Sequence, residues 1–221
     1  MADRQLEFEP FMNACRQLGV EITPEHFSIL CNYVNLVRDW NKHINLVSRQ
    51  DTGRLLSYHV IDSLAVSQLI PKNARCCDIG TGAGLPGIPL AITRPDIQMI
   101  LVESTKKKCH FLNKCLSALS LGSTVVINER AEALPPLNCD VILSRLTGPF
   151  RRVIRQTAHH ARNGGLVIMF KNPAARNDLD GMLIDRLRLE ILHTVELLLP
   201  VSGVPRRFVV LRRRQASLAT S

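Results

Sequence analysis

The chain has 221 residues, 46% of them hydrophobic and 21% charged, and its 28 Lys and Arg against 19 Asp and Glu leave a formal charge of +9. That composition belongs to a folded globular protein with a sizeable core, and the length favours one domain. No run reaches the roughly 18 apolar residues of a membrane span. The first residues, MADRQLEFEPF, hold acids and Arg4 where a signal peptide has an apolar stretch, so a cytoplasmic protein is expected by default.

The first 70 residues read as helices. Thr23-Pro24 is a cap followed by a proline at the first helical position, and Phe27, Leu30, Val34 and Val37 recur at helical spacing. Trp40 and Asn41 are expected to pack this helical cap onto the sheet rather than to stack a base. Leu56, Val60 and Leu64, one turn apart, suggest a further helix. On it His59, Asp62 and Ser63 share one side at i, i+3 and i+4. We read them as an internal hydrogen-bonded network fixing the cap over the loop that follows, with substrate contact as the second reading and a catalytic triad rejected.

From residue 75 the period changes. The runs RCCDI, IQMILVE, TVVIN, DVILSR and GLVIMFK alternate with helical segments, the pattern of a parallel sheet wrapped by helices. HTVELLL, a Pro-Val-Ser-Gly-Val-Pro turn and RRFVVL then form a hairpin too short for a crossover helix, so the last strand is antiparallel. The expected fold is α/β, with residues 1–70 as an N-terminal helical cap of the same domain and 71–221 as the α/β part.

Seven cysteines without a CxxC pair fit neither a disulfide framework nor a zinc ribbon, and no metal site is expected. Cys109 and Cys115 fall with Leu112, Leu116 and Leu119 on one helix side, as small core residues. Lys106, His110 and Lys114 share another face, which reads as solvated first and as an RNA contact second. Residues 151–221 carry 13 basic and 5 acidic side chains, so eight of the nine excess charges sit there, and twelve of those basic residues are Arg. The bland reading is a solvated basic face; the sharper one is a polyanionic partner, since the guanidinium fork suits phosphate.

The sharpest local signal follows the first strand: Asp78-Ile-Gly80-Thr-Gly82-Ala-Gly84-Leu-Pro86-Gly87. Glycines there allow a tight turn and close approach of a ligand to the backbone. Gly82, Gly84 and Gly87 also satisfy the dinucleotide pattern GxGxxG, with Glu103 near the expected distance downstream. Asp78 separates the two. A carboxylate at the mouth of the loop would repel a pyrophosphate but suits the ammonium and sulfonium of S-adenosylmethionine. Glu103, ending the second strand, can take a pair of ribose hydroxyls under either reading.

After the fourth strand stands Ser144-Arg145-Leu146-Thr147-Gly148. A guanidinium cannot accept from an exocyclic amino group, so methylation of adenine or cytosine amino groups is disfavoured. Cys139 is the one candidate nucleophile near a strand end, and a buried thiol is the better reading of it.

These residues resemble the RsmG family, also called GidB, bacterial small-subunit ribosomal RNA methyltransferases that modify N7 of a guanine. The likeness spans roughly residues 25–175. It rests on Trp40-Asn41-Lys42 with Ile44-Asn45-Leu46, His59-Val-Ile-Asp62-Ser63, the block Asp78 to Ile92, Glu103-Ser104, Arg130-Ala131-Glu132, Ser144-Arg145 and Lys171. The resemblance implies a Rossmann-like class I methyltransferase sheet with S-adenosylmethionine as cofactor. It places cofactor contacts on Gly80, Leu85, Ala131, Glu132 and Arg145, beside the roles argued for Asp78, Gly82, Gly84 and Glu103. Leu85, Val47, Leu146 and Asn172 depart from the family's usual Phe, Thr, Ala and Gly.

N7 of guanine carries a free lone pair, so methylation needs positioning and electrostatics more than a general base. Arg145 and Lys171, at the ends of the fourth and fifth strands, are the expected catalytic residues, holding the RNA and shaping the pocket. The expected partner is small-subunit ribosomal RNA or the 30S particle, met by a monomer away from membranes, with the Arg-rich last third on the phosphates. A nicotinamide-dependent oxidoreductase using the same glycines and a non-catalytic RNA-binding module remain as alternatives.

Overall fold

The computed structural model describes residues 7–145, 149–171, 173 and 180–215. Helices α1 (Phe8–Gln17) and α2 (Pro24–Asn41) come first. Thr23 caps α2, its Oγ1 accepting from the His26 N–H at 3.1 Å, with Pro24 at the first helical position. The stretch with Leu56, Val60 and Leu64 is a π-helical segment, Leu55–Val60, running into the short helix α3 (Ile61–Leu64), and all three leucine and valine side chains are buried.

Next come β1 (Arg75–Ile79), α4 (Gly87–Thr93), β2 (Gln98–Val102), α5 (Lys106–Ala118) and β3 (Thr124–Ile127). They are followed by β4 (Cys139–Ser144), α6 (Phe150–Thr157), β5 (Ala161–Lys171), α7 (Gly181–Arg186), β6 (Leu189–Leu198) and β7 (Pro205–Arg213). The seven strands stand in the order β3-β2-β1-β4-β5-β7-β6. The first five are mutually parallel, and β7 is antiparallel to both β5 and β6. The expected α/β class and antiparallel closure are thus observed.

Alternate strand residues enter two cores. Cys76, Met99, Leu101, Val141, Leu143, Ile168 and Val210 face α4, α5 and the N-terminal helices; Cys77, Ile100, Val102, Ile142, Val167, Met169 and Val209 face α6 and α7. Burial on both faces explains why these strands read as continuous apolar runs. Cys109, Leu112 and Cys115 are buried on α5 as expected. Trp40 packs on α5 rather than on the sheet, its ring 5.6 Å from that of His110 and 5.7 Å from that of Phe111. Asn41 closes the turn after α2, its Oδ1 accepting from the N–H groups of Leu46 and Val47 at 2.8 and 3.0 Å. Cys139 begins β4 and is fully buried, at the end of the strand away from Ser144 and Arg145, as the buried-thiol reading expected.

Candidate active site

The glycine loop leaves β1 between two carboxylates. Gly80, Gly82 and Gly84 have φ of 70°, 60° and 95°, a region that side chains with a Cβ rarely adopt. Space differs among them. A Cβ on Gly84 would stand 2.4 Å from Ile88 Cδ1, whereas one on Gly82 would meet nothing nearer than 4.0 Å. Gly84 is thus a packing glycine, and Gly82 leaves open backbone.

Asp78 lies beneath the loop rather than at its mouth. It is fully buried, and its Oδ2 accepts from the Thr81 hydroxyl at 2.6 Å and the Gly87 N–H at 2.9 Å. Burial pushes its carboxyl up to about 6, against the opposing pull of those two hydrogen bonds. The expected carboxylate facing a cation is therefore an internal clamp on the loop, because the first strand carries Asp78 under α4 before the chain turns. Glu103, though mostly buried, lines the cleft instead: its Oε2 accepts from the Gly82 N–H at 3.1 Å and its Oε1 from the Thr105 N–H at 2.8 Å. The end of β2 is held by the Asn128 side-chain amide and the Cys109 thiol, both donating to the Glu103 carbonyl, at 3.0 and 3.1 Å.

A cleft of about 270 Å³ opens over these strand ends. Gly80, Gly82, Glu103, Ala131 and Glu132 line it, so five of the sequence-predicted residues meet in one place. Lys108, Arg130, Arg152 and Gln156 line it too, and sequence reasoning misses them as site residues; a helix periodicity says which residues share a face, not which face meets a neighbouring loop. Asp78, Gly84, Leu85, Arg145 and Lys171 are not among the lining residues. Leu85 is buried below the loop, in the core shared with the N-terminal helices. That core also supplies a pin which the sequence does not announce: the buried Tyr33 of α2 donates its hydroxyl to the Ala83 carbonyl at 2.9 Å.

Arg145 directly follows β4 and Lys171 ends β5. Arg145 Nη2 is 3.0 Å from Asp62 Oδ2 and 3.1 Å from His59 Nδ1. Asp62, only 1% exposed, binds Arg206 Nε through its other oxygen at 2.8 Å, and Arg206 also hydrogen-bonds the Tyr58 hydroxyl. Burial, then the Arg145 charge, push His59 down to about 4, so it meets Arg145 as a neutral acceptor. The network expected of His59 and Asp62 therefore ties the cap to β4 and β7. Ser63 lies outside it, its hydroxyl donating back to the His59 carbonyl at 2.7 Å. Lys171 Nζ sits 5.5 Å from the centre of the Phe150 ring. Leu146 and Asn172, two of the departures from the family pattern, lie outside the described residues.

The family model described as GidB, rRNA small subunit methyltransferase G, matches residues 26–195. The chain belongs to that family. The ribosomal RNA small subunit methyltransferase G of Nitrosococcus oceani is 32% identical to this GidB-family chain over 200 residues, covering 90% of it and 92% of the relative. That of Laribacter hongkongensis is 40% identical over 150 residues, covering 67% and 72%. Among solved structures, a SAM-dependent methyltransferase from Aquifex aeolicus shares the fold at 15% identity and a TM-score of 0.54, covering 72% of this chain and 92% of its own. The GidB-family sheet also differs from the dinucleotide-binding order 3-2-1-4-5-6, since an antiparallel strand stands beside β5.

Proposed function

We propose that this GidB-family protein transfers a methyl group from S-adenosylmethionine to N7 of a guanine in small-subunit ribosomal RNA. The observation that carries the reading is the meeting of Gly80, Gly82, Glu103, Ala131 and Glu132 around one cleft at the carboxyl ends of β1, β2 and β3. The donor set fits the cofactor. Gly82 offers open backbone, and each Glu103 oxygen keeps a lone pair for a ribose hydroxyl besides the N–H it already binds. The Ala131–Glu132 turn then walls the adenine end, and the glycine loop the methionine end.

When bound, the cofactor supplies a methyl group on a sulfonium, electrophilic enough for a neutral ring nitrogen. The protein's part is to orient and to keep water out. Tyr33 and Asp78 hold the loop in one shape from above and below. Asp62 and His59 hold Arg145 at the end of β4, where the guanidinium and Lys171 take the target nucleotide. No group here acts as a general base, in keeping with a lone pair that needs no deprotonation.

The test is transfer of tritiated methyl to small ribosomal subunits from a strain lacking this modification, with the product mapped by cleavage at 7-methylguanosine. Label confined to one guanine is expected. Label on a pyrimidine, or none, would sink the proposal. Calorimetry with S-adenosylmethionine and NAD separates it from an oxidoreductase, and RNA binding without transfer would favour the non-catalytic alternative.

A further inference from the structure

One buried histidine, used by no part of the chemistry above, holds the wall of the cleft. His160 ends the turn Ala158–His160 between α6 and β5 and is fully buried. Its Nε2 lies 3.0 Å from the Ala131 carbonyl oxygen. A carbonyl only accepts, so the tautomer protonated at Nε2 donates to it; burial pushes the imidazole down to about 4, against the pull of the Ala131 and Pro135 carbonyls, leaving the ring neutral near pH 7. The same carbonyl accepts from the Leu134 N–H at 3.2 Å, which closes the Ala131–Ala133 turn on itself. His160 thus fills the second acceptor direction and sets how that turn sits against the body.

Its own backbone is braced. Arg213 of β7 donates Nη1 to the His159 and Ala161 carbonyls at 2.9 and 2.6 Å, on either side of His160. From the neighbouring α6, Gln156 reaches Glu132 Oε1 at 2.5 Å. The Ala131–Glu132 turn is therefore held twice from one segment, by an exposed amide and by a buried imidazole.

We propose that His160 is a positioning residue for the adenosyl end of the methyl donor, fixing through its Nε2–H the Ala131–Glu132 turn that walls the cleft. This rests on the reading of the cleft as the S-adenosylmethionine site. An apolar residue would fill the same space and leave the turn unanchored. Glutamine extends its amide nitrogen to about where Nε2 stands, whereas asparagine reaches only the Nδ1 position.

The experiment measures binding of S-adenosylmethionine and of 5′-methylthioadenosine, which lacks the amino-acid end, to the full chain and to His160→Gln, His160→Asn and His160→Leu. Turnover at saturating cofactor is measured alongside. Asn and Leu should weaken both ligands by the same factor, roughly tenfold for one lost hydrogen bond, with kcat and the KM for RNA unchanged and Gln close to the native protein. Equal affinity of the Gln and Asn variants would overturn the inference, as would a loss seen with S-adenosylmethionine but not with methylthioadenosine. If all three variants fail to fold, His160 is a requirement of the core and the inference also falls. A native protein that binds neither ligand would overturn the reading of the cleft first, and this inference with it.

Discussion

Asp78 carries its carboxylate in a fully buried place, with Thr81 and Gly87 on one oxygen and, among the described residues, no hydrogen-bond partner for the other. Its contribution to stability has a definite sign. The folded-state value near 6 lies above the ordinary carboxyl value of 3.8, so between about pH 4 and 6 the native protein binds more protons than the unfolded chain. Unfolding free energy therefore falls as pH rises through that window, by on the order of 3 kcal/mol. Asp78→Asn keeps an acceptor for Thr81 and Gly87 and removes the charge. In urea melts it should abolish that pH dependence while leaving S-adenosylmethionine affinity within about threefold, since the clamp survives. Asp78→Ala, which strands the buried Gly87 N–H, should cost roughly tenfold or more in affinity. If Asn is as damaging as Ala, the charge matters to the ligand after all. Gly84→Ala is the complementary test of the loop: φ of 95° and a Cβ 2.4 Å from Ile88 Cδ1 should cost about 3 kcal/mol in the same melts. The equivalent change at Gly82 clashes with nothing and should be felt in cofactor affinity.

Between elements, one carboxylate joins three parts of the chain. Asp62 on α3 binds Arg145 after β4 and Arg206 at the start of β7, with side-chain exposures of 1%, 18% and 13%. Removing it leaves two guanidinium groups in a space built for a pair, so Asp62→Ala should lose about 3 kcal/mol by urea unfolding, the lower end for a broken buried ion pair. Adding Arg206→Met to that variant should restore part of the loss; no recovery would mean that the carboxylate acts through Arg145 alone. Both partners of Arg145 come from the HxxDS segment, which is why this constellation is visible as a group in the sequence. Its spacing offers no means of knowing that the group reaches across to β7.

The distribution of charge over the whole molecule is where the fold adds most to what the sequence says. Composition points to five arginines of the last third, Arg206, Arg207, Arg212, Arg213 and Arg214, as ligands of RNA phosphates. Folding gives each an internal partner: Asp62, Glu196, Glu190, the 159 and 161 carbonyls, and Asp185. The β6–β7 hairpin sets arginines opposite glutamates, a pairing of strands that composition cannot reveal. Lys106, Lys107 and Arg155 are exposed and have no ion pair among the described residues. Neutralising these three should lower the salt slope of RNA binding by roughly 0.7–0.9 for each phosphate that the side chains neutralise, whereas neutralising Arg212 and Arg214 should leave the slope unchanged. A slope that moves only with the hairpin arginines would place the RNA on the hairpin after all.

By itself the sequence determined the α/β class, all seven strands, the antiparallel close and the glycine loop and Glu103 of the cleft, because these follow from local periodicity, turn chemistry and strand ends; the Ala131–Glu132 turn came from the resemblance to the family. Tertiary structure alone decided that Asp78 clamps the loop from beneath, that Tyr33 pins it from the cap, that His160 braces its far wall and that the C-terminal arginines are paired. Tyr33, His160 and the hairpin arginines depend on side chains that distant parts of the chain bring within hydrogen-bonding range, and Asp78 depends on how its own loop folds back over it; none of this is written in local spacing. The excess of nine positive charges is real, but its address on the surface was written by the fold.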